Sequence, residues 1–416
     1  MVFYACNFLF LSVFLQHQLK FCMMNKQIVF ILALAFAFSC KPTAKQTETL
    51  VKPESWAVKF ADAAMTRFDS LIYYNNNKPK FEYDYAFLGY AIAKLDSIDP
   101  KYGKYNRDYI DYFVGNDGAI KGYSVSTYNI DRVRPGNNLL DLYAKTGEAK
   151  YKTAIDSLVK QMETHPRTNS NGYWHKKIYP YQMWLDGIYM ASPFLARYAA
   201  DFNQPQWFDE VTFQIQLIYE KTLDKNTGLL YHAWDESREQ RWCNPETGQS
   251  KHFWGRAMGW YVMSVVDVLD YLPENHTNRA ALIEILKNVS DALIKVQDKN
   301  SGIWYQVLDM GGIEGNYLEA SGSAMFIYAI AKGANKGYLD KSYYTVAEKS
   351  FDGLIKTLVI TGTDGLPVLT NVCGGCGLGG NPYREADYNY YINEKRVDND
   401  QKGVAPLILA AIELKK

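Results

Sequence analysis

Two carboxylates, two imidazoles and one guanidinium stand out because aromatic residues crowd each of them. Asp186 lies in Gln-Met-Trp-Leu-Asp-Gly-Ile-Tyr-Met, early in a helical pattern. Bulky apolar neighbours disfavour a charged carboxyl, which would suit this one to general-acid work. A carboxylate near a helix N-terminus is also favoured on structural grounds alone, so both readings stand. Asp131, in Tyr-Asn-Ile-Asp-Arg-Val-Arg-Pro-Gly, is a second carboxylate at a helix start, where capping is the stronger reading from the residues alone. His175 follows Trp174 and His232 follows Tyr231. A lone histidine is more often a hydrogen-bonded packing residue than a catalytic one, and no His-x-x-x-His pair supplies further ligands, so no metal or other cofactor is expected. Arg256 and Trp260, in Trp-Gly-Arg-Ala-Met-Gly-Trp, are four apart and share a helix face. A guanidinium forks onto a carboxylate while an indole offers a stacking plane, the combination a uronic acid needs. A structural arginine in a cation–π contact or ion pair is the competing explanation.

These residues must be positioned by helices. Apolar residues recur near i, i+3, i+4 and i+7 in twelve segments: 55–74, 82–97, 105–114, 134–145, 148–164, 182–201, 206–221, 254–271, 279–297, 319–331, 341–356 and 403–414. In the clearest, Leu282, Leu286, Val289, Leu293 and Val296 share one face, with Glu284, Asn288, Asp291 and Lys295 opposite. Long Val/Ile alternation is absent, so little sheet is expected. Breakers such as Gly147, Pro166, Gly172, Pro205, Gly228, Pro273 and Gly302 separate the segments. Twelve helices without an internal linker predict one domain over 54–416, an all-α (α/α)6 barrel of paired inner and outer helices. An open solenoid is the rival, but no fixed-period consensus of the tetratricopeptide or HEAT kind is present.

Composition narrows the partner. Lys and Arg number 45 against 45 Asp and Glu, and no basic stripe with interleaved aromatics is present, which argues against nucleic acid. Aromatic residues reach 15%, and the flat apolar face and polar tip of Tyr and Trp suit sugar rings as well as cores.

The segments Tyr-Pro-Tyr-Gln-Met-Trp-Leu-Asp-Gly-Ile-Tyr-Met, His-Ala-Trp-Asp, Trp-Gly-Arg-Ala-Met-Gly-Trp and the late Val397-Asp-Asn-Asp-Gln-Lys-Gly together resemble glycoside hydrolase family 105, the unsaturated rhamnogalacturonyl hydrolases. These are related to the family 88 unsaturated glucuronyl hydrolases, and the likeness runs colinearly from about residue 54 to 414. The resemblance implies an (α/α)6 barrel acting on unsaturated uronic-acid oligosaccharides left by polysaccharide lyases. It implies that Asp186 protonates C4 of the 4,5-double bond, that water adds at C5, and that the hemiketal opens to release the aglycone. It places Asp131 as a second acidic residue positioning sugar or water, and Tyr83, His175, Trp184, His232, Trp254, Arg256 and Trp260 on substrate-pocket positions. Phe81 stands where the family often has Trp, a departure beside Tyr83. Three alternatives stay open: a glucuronyl hydrolase for glycosaminoglycan products, an inverting glycosidase using Asp131 and Asp186, and a sugar-binding lipoprotein without catalysis.

The N-terminus reads as an address. Lys26 precedes an apolar run from Ile28 to Phe38, a signal peptide's pattern and too short for a comfortable membrane span. Ala37-Phe38-Ser39-Cys40 resembles a lipobox, with Ala37 where Leu is usual, and predicts lipidation at Cys40 and a bacterial cell-envelope location. Residues 1–22 read as an extension upstream of the true start, and 41–53 as a linker. Cys243, Cys373 and Cys376 remain in the body, an odd count that does not form a disulfide framework. Cys373-Gly-Gly-Cys376 lacks a second pair for zinc, and the overlapping Gly375-x-Gly377-x-x-Gly380 follows no convincing strand, so this stretch is expected to be a tight loop.

Overall fold

The computed structural model describes residues 55–416 except residue 77. The signal peptide, Cys40 and the linker to residue 53 fall outside the described residues. All twelve expected helices form: α1 Trp56–Arg67, α2 Tyr83–Ala93, α3 Pro100–Phe113, α4 Gly136–Thr146, α5 Ala149–Thr164, α6 Leu185–Phe202, α7 Gln206–Thr222, α8 Gly255–Leu269, α9 Arg279–Lys295, α10 Ala320–Asn335, α11 Ser342–Leu358 and α13 Gln401–Leu414. A short α12, Tyr388–Asn393, was not expected. Three two-stranded antiparallel ladders are the only named sheets among the described residues.

The helices separate into two rings. α2, α4, α6, α8, α10 and α13 pack side by side in that order, and α13 returns against α2, so the inner ring closes. Each inner helix also packs on one outer partner, giving the (α/α)6 barrel. Burial follows. Every residue of α8 is buried, as expected for a helix surrounded by protein. Outer α5 instead buries one stripe, Tyr151, Ala154, Ile155, Leu158, Val159 and Met162. A hydrogen bond from Trp56 N–H to the Lys416 carbonyl, 2.9 Å, ties the two ends of the barrel's chain together.

A turn recurs at the end of the barrel where outer helices hand over to inner ones. Asp224-Lys-Asn-Thr-Gly-Leu-Leu-Tyr231 follows α7, and Asp298-Lys-Asn-Ser-Gly-Ile-Trp-Tyr305 follows α9. In each, the glycine N–H bonds back to the aspartate carbonyl at 2.8 Å with φ of +78° and +70°. Glycine takes that conformation without penalty. At the opposite end, Lys332 near the close of α10 is buried between Asp267, 2.7 Å, and Asp270, 2.6 Å. A cation there complements the C-terminal ends of the inner helices.

Candidate active site

The inner helices begin at one end of the barrel, and their first turns carry the chemistry. Tyr83 opens α2, Asp186 is the second residue of α6, and Arg256 is the second of α8. Asp131 sits in a short 3-10 turn, Ile130–Arg132, just ahead of α4. These first turns bring positive dipole ends toward one cavity, which favours an anionic ligand. The cavity encloses about 550 Å³ of empty space, part of it open to solvent. It is lined by Tyr83, Asp131, His175, Trp184, Asp186, Trp254 and Arg256 from the sequence reading, so seven of the nine expected residues meet there.

The other two do not line it. His232 is fully buried behind Asp186, with Nε2 3.4 Å from Asp186 Oδ2. Trp260 lies in the core, stacked on Tyr189 at 5.0 Å and edge-on to Tyr83 at 6.0 Å. It offers no stacking plane to a sugar: one helical turn beyond Arg256, it points into the packed ring and supports Tyr83 instead.

Asp131 is not a helix cap. Asn129 takes that place, accepting from the Asp131 N–H, and the Asp131 carboxylate turns to Lys176 at 2.6 Å and His175 at 3.3 Å. Burial opposes its charge, but Lys176 and His175 outweigh burial and hold it far below the ordinary carboxylate range. Asp131 is therefore a fixed negative charge and a weak base.

Asp186 has different company. Its Oδ2 is buried with no hydrogen-bond partner, an uncommon state for a carboxylate oxygen outside functional sites. Burial drives His232 below its ordinary value, so the imidazole is neutral. Tyr391, whose hydroxyl burial keeps protonated, stands 2.9 Å from Nδ1. In the tautomer where the Tyr391 O–H donates to Nδ1, the His232 proton lies on Nε2, which faces Asp186. That tautomer holds an N–H where negative charge would appear on Asp186 after it gives up a proton.

Arg256 is anchored from behind. Its Nη1 donates to Ser321 Oγ at 3.2 Å and to the Cys373 carbonyl, and its guanidinium lies 4.7 Å over the Trp254 ring. Burial works against its charge, but Cys373 and Glu319 raise it, so it stays a cation. No acid forms a salt bridge with it among the described residues.

Sequence reasoning missed part of the wall. Lys176 was hidden as one of two adjacent lysines, and Tyr179 by its place in a loop. Tyr179 and His175 both stack on Trp184, at 4.8 and 4.5 Å. The glycine-rich stretch runs as a loop, as expected, but it leaves a short strand, 372–373 paired with 396–397, and it forms part of the cavity, which Gly375, Cys376, Gly377 and Arg384 line. Arg384 binds the Gly379 carbonyl at 2.8 Å, the Leu378 carbonyl at 3.1 Å and Tyr179 Oη at 3.2 Å. A Cβ on Gly377 would stand 2.0 Å from its Nη1, so the glycine makes room for this guanidinium.

A closed double ring of helices gathers two carboxylates in different company and two guanidinium groups in one cavity, a set suited to an acid-bearing site for an anionic ligand. Residues 56–416 match the family model described as Glycosyl Hydrolase Family 88. A solved family 105 glycoside hydrolase from C. acetobutylicum ATCC 824 is 44% identical, with a TM-score of 0.84 over 87% of this chain and 99% of that one. The unsaturated rhamnogalacturonyl hydrolase YesR of Bacillus subtilis is 25% identical over 295 residues, 68% of this chain and 77% of its own. An unsaturated 3S-rhamnoglycuronyl hydrolase of Formosa agariphila is 29% identical over 170 residues, 40% of this chain and 44% of its own. The chain belongs to glycoside hydrolase family 105 and also matches the related family 88 model.

Proposed function

We propose that this hydrolase removes a 4,5-unsaturated galacturonyl residue from the non-reducing end of lyase-generated rhamnogalacturonan oligosaccharides, as pectin is broken down. The enol ether of such a sugar accepts a proton at carbon, so one acid suffices and a paired-carboxylate geometry is not required. Asp186 delivers its proton to C4, and positive charge develops at C5 and the ring oxygen. Water adds at C5 and gives up a proton to the Asp186 carboxylate. The resulting hemiketal opens, leaving a hemiacetal at C1 that releases the aglycone. His232 Nε2–H faces the carboxylate formed in the first step, so its help grows as the proton leaves, which lowers the barrier and not merely the ground state.

The observation that carries this reading is the contrast between the two acids. An inverting glycosidase would need Asp131 to act as general base. Held ionised by Lys176 and His175, Asp131 is too weak a base for that task. Its free lone pairs instead suit sugar hydroxyls, and Arg256 suits the uronate carboxylate. The similarity to the rhamnogalacturonyl enzyme of B. subtilis supports the galacturonyl choice.

The test is to offer an unsaturated rhamnogalacturonan disaccharide and its saturated counterpart and follow ultraviolet absorbance with product analysis. Turnover of the unsaturated sugar alone is expected, with Asp186→Asn slowed by about 10²–10⁴-fold, the usual worth of a general acid. Cleavage of the saturated sugar would move the assignment to a conventional glycosidase.

A further inference from the structure

The hydrolytic reading leaves a thiol pair in the cavity wall without a task. Cys373 and Cys376 are both buried, with sulfurs 3.5 Å apart. Gln306 Nε2 reaches both, at 3.2 and 3.5 Å, and is itself steadied by Trp254 Nε1, which donates to Gln306 Oε1 at 3.1 Å. Cys376 lines the cavity, with Cys373 the next sulfur behind it. Cys243 differs: it has no thiol beside it, and its Sγ meets the Gln240 carbonyl at 3.1 Å.

Several features suit the pair to covalent chemistry. A disulfide needs each sulfur to move by only about 0.7 Å, given a bond near 2.05 Å. The residues between them are Gly374 and Gly375, which set no side chain against such a shift. The contact with Cys376 and the nearby Arg256 lower the Cys373 thiol while burial raises Cys376, so the pair holds one thiolate that rests on Cys373 and must pass through proton exchange to Cys376 before attack. The pair is also joined to substrate binding, because the Cys373 carbonyl is one of the two acceptors that hold Arg256.

We infer that Cys373 and Cys376 form a thiol–disulfide modification site, reached by small disulfides through the sugar cavity, whose oxidation weakens binding of the uronate by shifting the carbonyl that anchors Arg256. The part concerning binding rests on Arg256 as the partner of the substrate carboxylate. The chemistry balances with one small disulfide, RSSR, as oxidant. Cys376 sulfur passes its proton to the Cys373 thiolate, attacks one sulfur of RSSR and expels RS⁻. Cys373 then gives that proton to RS⁻, attacks Cys376 Sγ and expels the second RS⁻. Two electrons leave the cysteine pair, and RSSR becomes RSH and RS⁻.

The experiment treats the full chain with oxidised glutathione and reads two quantities. Mass spectrometry follows the tryptic peptide 357–384, which carries these two cysteines and no other. Kinetics follow KM for the unsaturated disaccharide. Expected are loss of two hydrogens from that peptide, a rise in KM of about tenfold reversed by dithiothreitol, and oxidation slowed about tenfold by saturating disaccharide, the scale of one lost charge-assisted contact. In Cys376→Ala, KM is expected to be the same under oxidising and reducing conditions. A peptide that stays a dithiol, or a disulfide that leaves KM unchanged, overturns the inference. A reduced enzyme silent on this sugar overturns the substrate reading instead, and the peptide mass alone then decides whether the disulfide site exists.

Discussion

Glu319 governs Arg256 through intermediaries. Its Oε1 accepts from Ser321 Oγ at 2.7 Å and from the Cys373 N–H at 3.0 Å, and those two residues supply the acceptors that hold Arg256. Its Oε2 accepts from the Gly322 N–H at 2.7 Å. Glu319→Gln sets an amide N–H against one of these donors, a mismatch worth about 1–3 kcal/mol. The expected outcome is a KM raised about tenfold with kcat within about twofold, because the error falls on carboxylate binding and not on proton transfer. Steady-state kinetics decide it, and a loss confined to kcat would contradict the assignment. Arg256→Lys tests the same point from the front. Lysine keeps the charge but loses the fork, so KM should rise about ten- to hundredfold. At this scale the sequence was informative about residue type and silent about company. Asp186 and Asp131 both read as acids near helix starts. Only Lys176 and His175 on one, and a neutral His232 beside the other, separate their roles. Those partners come from other segments, and no local spacing announces them. Trp260 misled because four-residue spacing fixes a shared face but not whether that face meets a cavity or a core.

The elements were the most legible part of the chain. Outer helices such as α5 show their buried stripe in the periodicity, and inner helices such as α8 are apolar on every side, interrupted by Arg256, Ser264 and Asp267. Boundaries shifted where tertiary pairing took over: residues 182–184, read as the start of a helix, form a strand paired with 233–235. The repeated Asp-Lys-Asn-Thr/Ser-Gly turn was present but not recognised as a repeat, since the segments between its copies share no consensus. Close approach of α8 and α10 sets a sharp constraint. A Cβ on Gly322 would lie 2.9 Å from the Gly255 carbonyl carbon and 3.1 Å from the Arg256 nitrogen. Gly322→Ala must part the two helices at the site, so we expect about 1–3 kcal/mol of destabilisation together with a raised KM. Denaturant unfolding and kinetics on the same preparation check both. A second element-scale outcome concerns His165, at the end of α5. Its Nε2 meets the Trp174 carbonyl at 2.8 Å, while Nδ1 faces the Gln161 amide nitrogen at 3.4 Å. Burial lowers it from 6.5 to about 4, and protonating Nδ1 would set two N–H groups face to face. Because the folded value lies below the unfolded one, its contribution is complete above pH 6.5 and is lost as pH falls toward 4. The full loss is about 3 kcal/mol. Unfolding free energy should decline over that window, and His165→Gln should flatten the decline.

For the whole molecule, the closed ring explains how separate loops act as one site. Six inner helices begin at the same end, and the chemistry is distributed over residues as far apart as Tyr83 and Arg384, which only ring closure brings to one cavity. The barrel class was accessible from counting helices, but its closure depends on α13 packing against α2, a contact between opposite ends of the chain. We also propose, from the lipobox-like Ala-Phe-Ser-Cys40, that the enzyme is held at the cell envelope by a lipid on Cys40. Fatty-acid labelling in a bacterial host is expected to mark the full chain and to be lost in Cys40→Ser. Labelling that persists would refute the anchor. The central claim is that carbon, and not the glycosidic oxygen, receives the proton. The most direct measurement runs the reaction in D₂O and follows C4 by nuclear magnetic resonance while the aglycone is released. The account predicts that the C4 vinyl signal disappears in step with release, with one deuterium delivered to a single face of C4, and that Asp186→Asn slows both together. Release of the aglycone from a sugar whose 4,5-double bond remains intact would contradict it.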